Sequence, residues 1–309
     1  MRAVALAYSA LVLSWNLARL TPLARLGPFE LADTFAWLLF VPLPILVLVV
    51  LLRREWRVAA AFLLPSVAFA IEYGPQYAPH RVVRGTALRV ATANVYDRNR
   101  QPDALADALR RLDADVLAIQ ELSTPMGKYL AEVLGDRYRF RALYPHRGSS
   151  GLGVFSRLPI RRSTRPELGR DGCRCQVVVL GSIGEAVTII NAHPRPPSRS
   201  WGLDASHQEA TIDALLQRVR DSTNPVVVAG DLNVADRHYL YRRIRRHLGD
   251  AHRDAGWGPG ITWSHRGKVP LARLDYVLHD EHWGTRSVRT GHIPGSDHRS
   301  VSADLVRTQ

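Results

Sequence analysis

Residues Phe35 to Leu52 read FAWLLFVPLPILVLVVLL, a run without one charged or amide side chain. At about 1.5 Å per residue such a run nearly crosses a hydrocarbon layer about 30 Å thick. A helix at a protein surface needs a polar stripe facing water. This run has none, so it belongs in a bilayer or a deep core. Pro42 and Pro44 would kink it, which membrane helices tolerate.

Two further apolar stretches flank it. Ala3 to Leu20 is interrupted by Asn16 and Arg19, and no small-residue cleavage site follows, so a span is favoured over a signal peptide. Val58 to Ile71 is shorter and contains Pro65, with Trp56 and Tyr73 placed as interfacial anchors; its alternative is a re-entrant segment. The expected plan is a membrane anchor over 1–73 with about three spans (3–20, 33–52 and 58–73), a Gly/Pro-containing linker over 74–85, and a catalytic domain over 86–309. Arg53, Arg54 and Arg57 crowd the turn between the second and third stretches, which places that turn in the cytoplasm. Arg19, Arg25, Arg81 and Arg84 oppose this. Three crossings put the catalytic domain outside the cytoplasm; a third stretch that turns back leaves it inside.

Formal net charge is +13, carried almost wholly by arginine, since Lys128 and Lys268 are the only lysines. Arg-rich codon usage accounts for this, and so does a surface that attracts phosphates, nucleic acid or anionic headgroups. Cys173 and Cys175 are too few for a zinc site and too close for an easy disulfide, and both read as structural.

Beyond the linker, short apolar runs alternate with amphipathic stretches. Strands are expected at 87–95, 116–119, 151–155, 176–180, 187–191, 225–229, 274–278 and 300–305, and helices at 102–112 and 205–220. The rhythm is not strictly βαβ, which argues for layered sheets covered by helices. Signatures of dinucleotide binding, P-loops, redox pairs and serine hydrolases are absent.

Polar residues fall at strand ends: Asn94 after RVATA, Glu121 after LAIQ, His193 after TIINA, and Asp231 and Asn233 around VVVAG. Asp275 follows ARL, and Asp297 and His298 follow PGS. Strand ends converge at one edge of a sheet, where a rigid scaffold positions a site. Hard oxygen ligands without a cysteine cluster suit Mg²⁺ or Mn²⁺. Such an ion polarises a phosphoryl oxygen, a nearby carboxylate orients water, and a His–Asp pair holds charge opposite the phosphate. Taken singly, the bland readings are a capped turn at Asp231 and Asn233, a solvated edge residue at Asp275, and a structural His193. The RHYLYRRIRR stretch (237–246) reads most simply as a solvated helix face.

GDLNVA (230–235), RLDYVL (273–278) and GSDHRSV (295–301) resemble the late motifs of the endonuclease/exonuclease/phosphatase superfamily. LRVATANV (88–95), IQEL (119–122), SGLGVFSRLPI (150–160) and NAHP (191–194) resemble the earlier ones, in the family's order. The resemblance covers essentially all of 86–309. It implies a four-layer α/β/β/α sandwich preceded by N-terminal transmembrane helices, and a Mg²⁺- or Mn²⁺-dependent phosphoesterase. It further implies Glu121 as principal metal ligand with Asn94 beside it and Asp297 in support, Asp231 as activator of water, Asn233 as phosphoryl-oxygen donor, and His193 and the Asp275–His298 pair at the phosphate. Tyr96 stands where some members carry an acid, which removes one possible second-metal ligand. A carboxylate partner for His193 would be Asp204 or Glu209, and neither is favoured.

The combination of spans and domain also resembles VanJ-type teicoplanin-resistance proteins, which implies an outward-facing enzyme acting on a lipid-linked precursor. The substrate class favoured by tethering is a lipid phosphate, lipid pyrophosphate or phospholipid. The alternatives are a membrane-tethered nuclease acting on DNA or RNA, and a catalytically retired membrane binding module.

Overall fold

The computed structural model describes residues 2–78, 80, 83–169, 173–181, 186–196, 206–265 and 268–308. Its first part is helical. α1 (Arg2–Ala18), α2 (Gly27–Thr34), α3 (Leu43–Leu52), α4 (Trp56–Ala59) and α5 (Leu63–Tyr73) are joined by 3₁₀ turns. Val12, Phe40, Val50, Val58 and Phe62 pack into a small core. Many other large apolar side chains there, among them Leu6, Ile45, Leu48 and Leu64, point outward. Among the described residues, every exposed large hydrophobic except Tyr96, Trp257 and Val269 lies at or before Tyr77.

The expectation of about three spans is not supported. Among the described residues one continuous helix, Trp56–Tyr77, is long and apolar enough to cross a membrane. It absorbs Pro65 behind a 3₁₀ turn at Ala60–Phe62, where one missing N–H is tolerated. Arg2–Ala18 and Ala36–Leu52 are apolar but shorter. The first stops before Thr21 and Pro22, and the second opens with a 3₁₀ turn over Ala36–Phe40 ahead of Pro42 and Pro44.

The rest is built on two sheets. Their strands in chain order are β1 (Ala87–Asn94), β2 (Val116–Gln120), β3 (Phe140–Tyr144), β4 (Leu152–Ser156), β5 (Ile160–Thr164), β6 (Glu167–Leu168), β7 (Cys173–Leu180), β8 (Val187–Ala192), β9 (Val226–Asp231), β10 (Gly249–Asp250), β13 (Asp275–His279), β14 (Trp283–His292) and β15 (Arg299–Arg307), with a separate hairpin of β11 (Trp263–His265) and β12 (Val269–Ala272). One sheet runs β14-β15-β1-β2-β4-β3; the other runs β10-β13-β9-β8-β7-β5, with β6 on β7.

Strand alternation divides the inner and outer faces. On β1, Val90 faces the second sheet, where it meets Val227, Ala229 and Val277, while Ala91 and Ala93 face helices. Those helices are α6 (Pro102–Arg111) and α7 (Thr124–Val133). Helix α6 starts on Pro102, carries Asp103 in its first turn and Arg110 and Arg111 in its last, and buries Leu105 and Leu109. The outer face of the second sheet is covered by α8 (Ser206–Arg220) through Ile212, Leu215 and Leu216, and by α9 (Tyr239–Ile244) through Leu240 and Ile244. The order is helix, sheet, sheet, helix. Each fully buried Leu or Ile contributes roughly 1.5–3 kcal/mol of transfer free energy, so the three apolar layers dominate the stability of this part. Cys175 is one of the buried residues under α8.

Segment 74–85 does not act as a free spacer where it is described. Gly258 N–H donates to Gln76 O (2.9 Å), Tyr77 packs edge-on against Trp257, and His80 Nε2 lies 2.6 Å from Gly256 O. The bundle itself is docked on the domain. Arg237 Nη1 lies 3.0 Å from Glu72 Oε1, and its guanidinium stacks 3.8 Å above the Tyr73 ring. Arg19 pairs with Glu72 and, at 2.9 Å, with Asp33. Trp37 Nε1 donates to Leu271 O (2.9 Å). Arg237, expected on a solvated face, is instead buried in this junction, because a residue 165 positions away supplies its counter-charge.

Candidate active site

The site forms where β1, β2, β8 and β9 end and β13 begins. Antiparallel pairing sets Asp231 opposite Asp275, and parallel pairing sets Asn94 opposite Gln120, one residue before Glu121. Gly230 is required by proximity, since a Cβ there would lie 2.0 Å from Ala192 O. Gly151 is likewise constrained, 1.9 Å from Leu122 O. Among the described residues five non-glycine residues have positive φ, and three of them belong here: Tyr96 (61°), Glu121 (57°) and Asn233 (50°). Asn tolerates this region, whereas Glu and Tyr are held there against their preference. The surrounding contacts therefore fix where the Glu121 carboxylate points.

Beneath the site, a buried polar network ties the sheets together. Thr92 donates to Gln120 (3.1 Å), Gln120 to Asn191 (2.7 Å), and Asn191 to the carbonyls of Ile119 (3.0 Å) and Gly153 (3.1 Å). Unpaired, each group would carry a desolvation cost of roughly 1–3 kcal/mol, so this network specifies how the strand ends align.

Above it lie the eight residues expected from sequence. Asn94 Nδ2 donates to Glu121 Oε1 (3.1 Å) and to Asp231 Oδ2 (3.0 Å), while its Oδ1 accepts from Tyr96 N–H (3.0 Å). Asn94 thus bridges two carboxylates through its amide nitrogen. Glu121 Oε2 also accepts from Asp97 N–H (3.2 Å). His193 Nε2 sits 3.5 Å from Asp231 Oδ2 and 3.7 Å from Glu121 Oε1, with Nδ1 3.0 Å from Ser149 O. His298 Nδ1 lies 2.8 Å from Asp275 Oδ2, and its Nε2 is 3.7 Å from Asp231 Oδ2. Asn233 N–H caps Asp231 Oδ1 (2.9 Å), and its side chain donates to Pro194 O (2.9 Å). Asp297 accepts from Trp263 Nε1 (3.0 Å), which holds it at the rim, apart from the Asp231–Asp275–His298 cluster. Of the two carboxylates considered for His193, Glu209 is engaged by Tyr239 (2.7 Å), and Asp204 lies outside the described residues.

Electrostatics follow from this packing. Burial would raise the Asp231 carboxyl, but the His298 charge, His193 and the Asn233 N–H outweigh it and hold it at about 2. Burial would lower His298, but the carboxylates of Asp275 and Asp231 dominate and raise it to about 10. His193 is raised in the same way: burial opposes, and Asp231 and Glu121 prevail. For Asp275 burial wins, and its carboxyl is raised despite the adjoining imidazole.

Asp231, Asp275 and His298 have possible ligand atoms within 4.8 Å of one another. We read this trio as an ion pair rather than a metal centre, because His298 Nδ1 already serves Asp275 at 2.8 Å. The Glu121 carboxylate, mostly buried beside Asp231 but open to a cleft of about 960 Å³, offers the hard oxygen donors a divalent cation requires. Arg98, Arg165 and Arg195 line the same cleft, as do His238, Trp263 and, from the helical bundle, Thr34 and Phe35.

Several participants had no signal in the sequence. Ser296 Oγ donates to Asn94 O (2.8 Å) and accepts from His298 N–H (3.1 Å). Thr262 Oγ1 accepts from the N–H groups of Leu274 and Asp275 (3.0 Å each). Asn191 and Gln120 were detectable as amides inside apolar strands, where a buried polar group demands partners.

Residues 91–298 match the model of the Endonuclease/Exonuclease/phosphatase family. Solved structures agree in fold. An endonuclease/exonuclease/phosphatase from Beutenbergia cavernae is 22% identical with a TM-score of 0.61, covering 72% of this chain and 72% of that one. A functionally unknown conserved protein from Enterococcus faecalis is 16% identical with a TM-score of 0.60, over 71% of this chain and all of that one. D. rerio TDP2 with a single-strand DNA product is 14% identical with a TM-score of 0.61, over 72% and 100%. No curated protein sequence matches the chain.

Proposed function

The chain belongs to the endonuclease/exonuclease/phosphatase family, whose members hydrolyse phosphoester bonds, and from this premise we propose that it is a membrane-anchored, divalent-metal-dependent phosphoesterase acting on a lipid phosphate, lipid pyrophosphate or phospholipid. The observation that carries the reading is that the exposed large apolar side chains are confined almost entirely to residues 2–77, directly beside a cleft lined by phosphate-type chemistry. Soluble proteins rarely expose contiguous apolar surface on that scale. Trp56 marks one end of the long helix and Tyr77 with Trp257 the other, as in an interfacial aromatic belt. Arg2, Arg53, Arg54 and Arg57 lie toward the Trp56 end, and Arg19, Asp33 and Glu72 toward the domain. That segregation supports a cytoplasmic Trp56 end and a catalytic domain outside the cytoplasm, on the plan of VanJ-type proteins.

In this reading Glu121 is the principal holder of Mg²⁺ or Mn²⁺, with Asn94 beside it and Asp297 at the rim. The cation, when bound, would neutralise charge developing on the phosphoryl oxygens. Asp231, kept ionised, orients water and accepts its proton. Asn233, His193 and His298 donate toward the phosphoryl oxygens, Asp275 holds His298 in place, and the cleft arginines attract the phosphate.

Full-length protein in detergent should hydrolyse undecaprenyl pyrophosphate, sphingomyelin or phosphoinositides with Mg²⁺, should stop in excess chelator, and should recover on adding Mg²⁺ or Mn²⁺. Nicking of plasmid DNA with no action on any lipid would replace this proposal by the nuclease reading, which the three cleft arginines also accommodate.

A further inference from the structure

A second cavity of about 510 Å³ lies between the helical bundle and the catalytic domain. Trp37, Phe40 and Val47 wall it from one side, Phe69 from α5, and Ile261 and Leu271 from the domain. It adjoins the active-site cleft: Thr34 and Ala272 border both. The charged residues at its floor are already matched, Asp236 by Arg253 (2.8 Å), Arg237 by Glu72 (3.0 Å) and Arg273 by Asp250 (2.8 Å). The groove therefore asks for an apolar occupant. Its outer rim includes Val41 and Phe69, 52% and 39% exposed, and continues into the exposed face of α3 at Ile45 and Leu48.

We propose that this groove holds a hydrocarbon tail of the substrate while its phosphate occupies the cleft. The inference deepens the function proposed above and rests on it. A tail is favoured over a protein segment because the surface that the groove opens onto is the apolar face of the bundle, so the adjoining phase is hydrocarbon. Its volume falls within the usual range of about 300–1,000 Å³ for small-molecule sites. Thr34 and Ala272 mark the point where head and tail diverge, so the groove reads the part of the lipid nearest the phosphate.

The test uses the full-length chain in detergent. Dimethylallyl, farnesyl and undecaprenyl pyrophosphate form a ladder of tail length, with bis(4-nitrophenyl) phosphate as a tail-less reporter. Val47→Trp, which fills the groove, should raise KM for the two longer substrates about tenfold, equivalent to about 1.4 kcal/mol, and leave the reporter unchanged; Val47→Ala should not. A farnesyl phosphate carrying a diazirine in its tail should label groove residues, and farnesyl pyrophosphate should compete. Labelling of this kind without hydrolysis would keep the groove and remove the lipid-phosphoesterase reading. Hydrolysis with no dependence on tail length in either form would remove the groove alone. Equal loss of all substrates in Val47→Trp, or equal labelling by the phosphate-free diazirine alcohol, would also overturn it.

Discussion

The two parts of the chain are built inside out with respect to each other. In the catalytic part, Leu117, Ile119 and Phe155 are fully buried between sheet and helices. In the bundle, Ile45, Leu48 and Leu64 face outward, while Arg19, Asp33 and Glu72 sit in the interior junction. On the membrane-anchored function proposed above, the molecule would be organised around two media, and its active-site cleft, with Thr34 and Phe35 in its wall, would lie where they meet.

The largest expected effect tests whether the catalytic half acts as an enzyme. Asp231→Ala should lower turnover about a thousandfold or more, within the range of lost general-base action, measured on whichever substrate the intact chain hydrolyses; near-normal turnover would remove Asp231 from the mechanism. Next is the junction. Arg237→Ala leaves Glu72 with Arg19 alone and removes the stack on Tyr73, and should cost about 3 kcal/mol in denaturant unfolding of the whole chain. If the halves were independent, the unfolding of the domain would not change. Leu117→Ala and Leu48→Ala then form a matched pair. The first should cost about 3 kcal/mol; the second should be near neutral in detergent, and Leu48→Asp should shift protein out of the membrane fraction. A buried-type penalty at Leu48 would break the comparison.

The smallest effect concerns pH. His298, raised from about 6.5 to about 10, prefers its protonated form in the folded state. Its contribution is complete below about pH 6.5 and is lost as pH rises through about 10. Thermal melts of metal-free protein should fall across that window more steeply than those of His298→Gln; parallel curves would refute the assignment.

Much of the catalytic fold was visible in the sequence because its strands are short apolar runs ending in polar groups. The segments 116–119, 225–229 and 274–278 appear as β2, β9 and β13, displaced by a residue or two. Strand β14 was missed: WGTRSVRTGH is an edge strand, half solvated, and lacks the apolar signal. The eight polar residues were recognisable because strand ends gather them, and the structure brings Asn94, Glu121, His193, Asp231 and His298 within hydrogen-bond or ion-pair range. Ser296 and Thr262 were not, since an isolated hydroxyl in a loop carries no pattern. The junction was illegible for a different reason. Arg237 lies in a basic stretch that looks solvated, and only the fold shows that Glu72 and Tyr73 cover it.

Strand β1 lies between β2 and β15, pairing with β15 from Ala87↔Val306 to Thr92↔Val301. The earliest strand to leave the ribosome therefore waits for the latest, and His298 stands immediately before that latest strand. During synthesis the bundle can collapse early, whereas the active site cannot assemble until nearly the whole domain has emerged. If the domain is exported, it crosses as an unstructured chain and gains its chemistry only on the far side. A product truncated ahead of β15 would carry Glu121 and Asp231 but no seat for them, and so would be inert rather than unregulated.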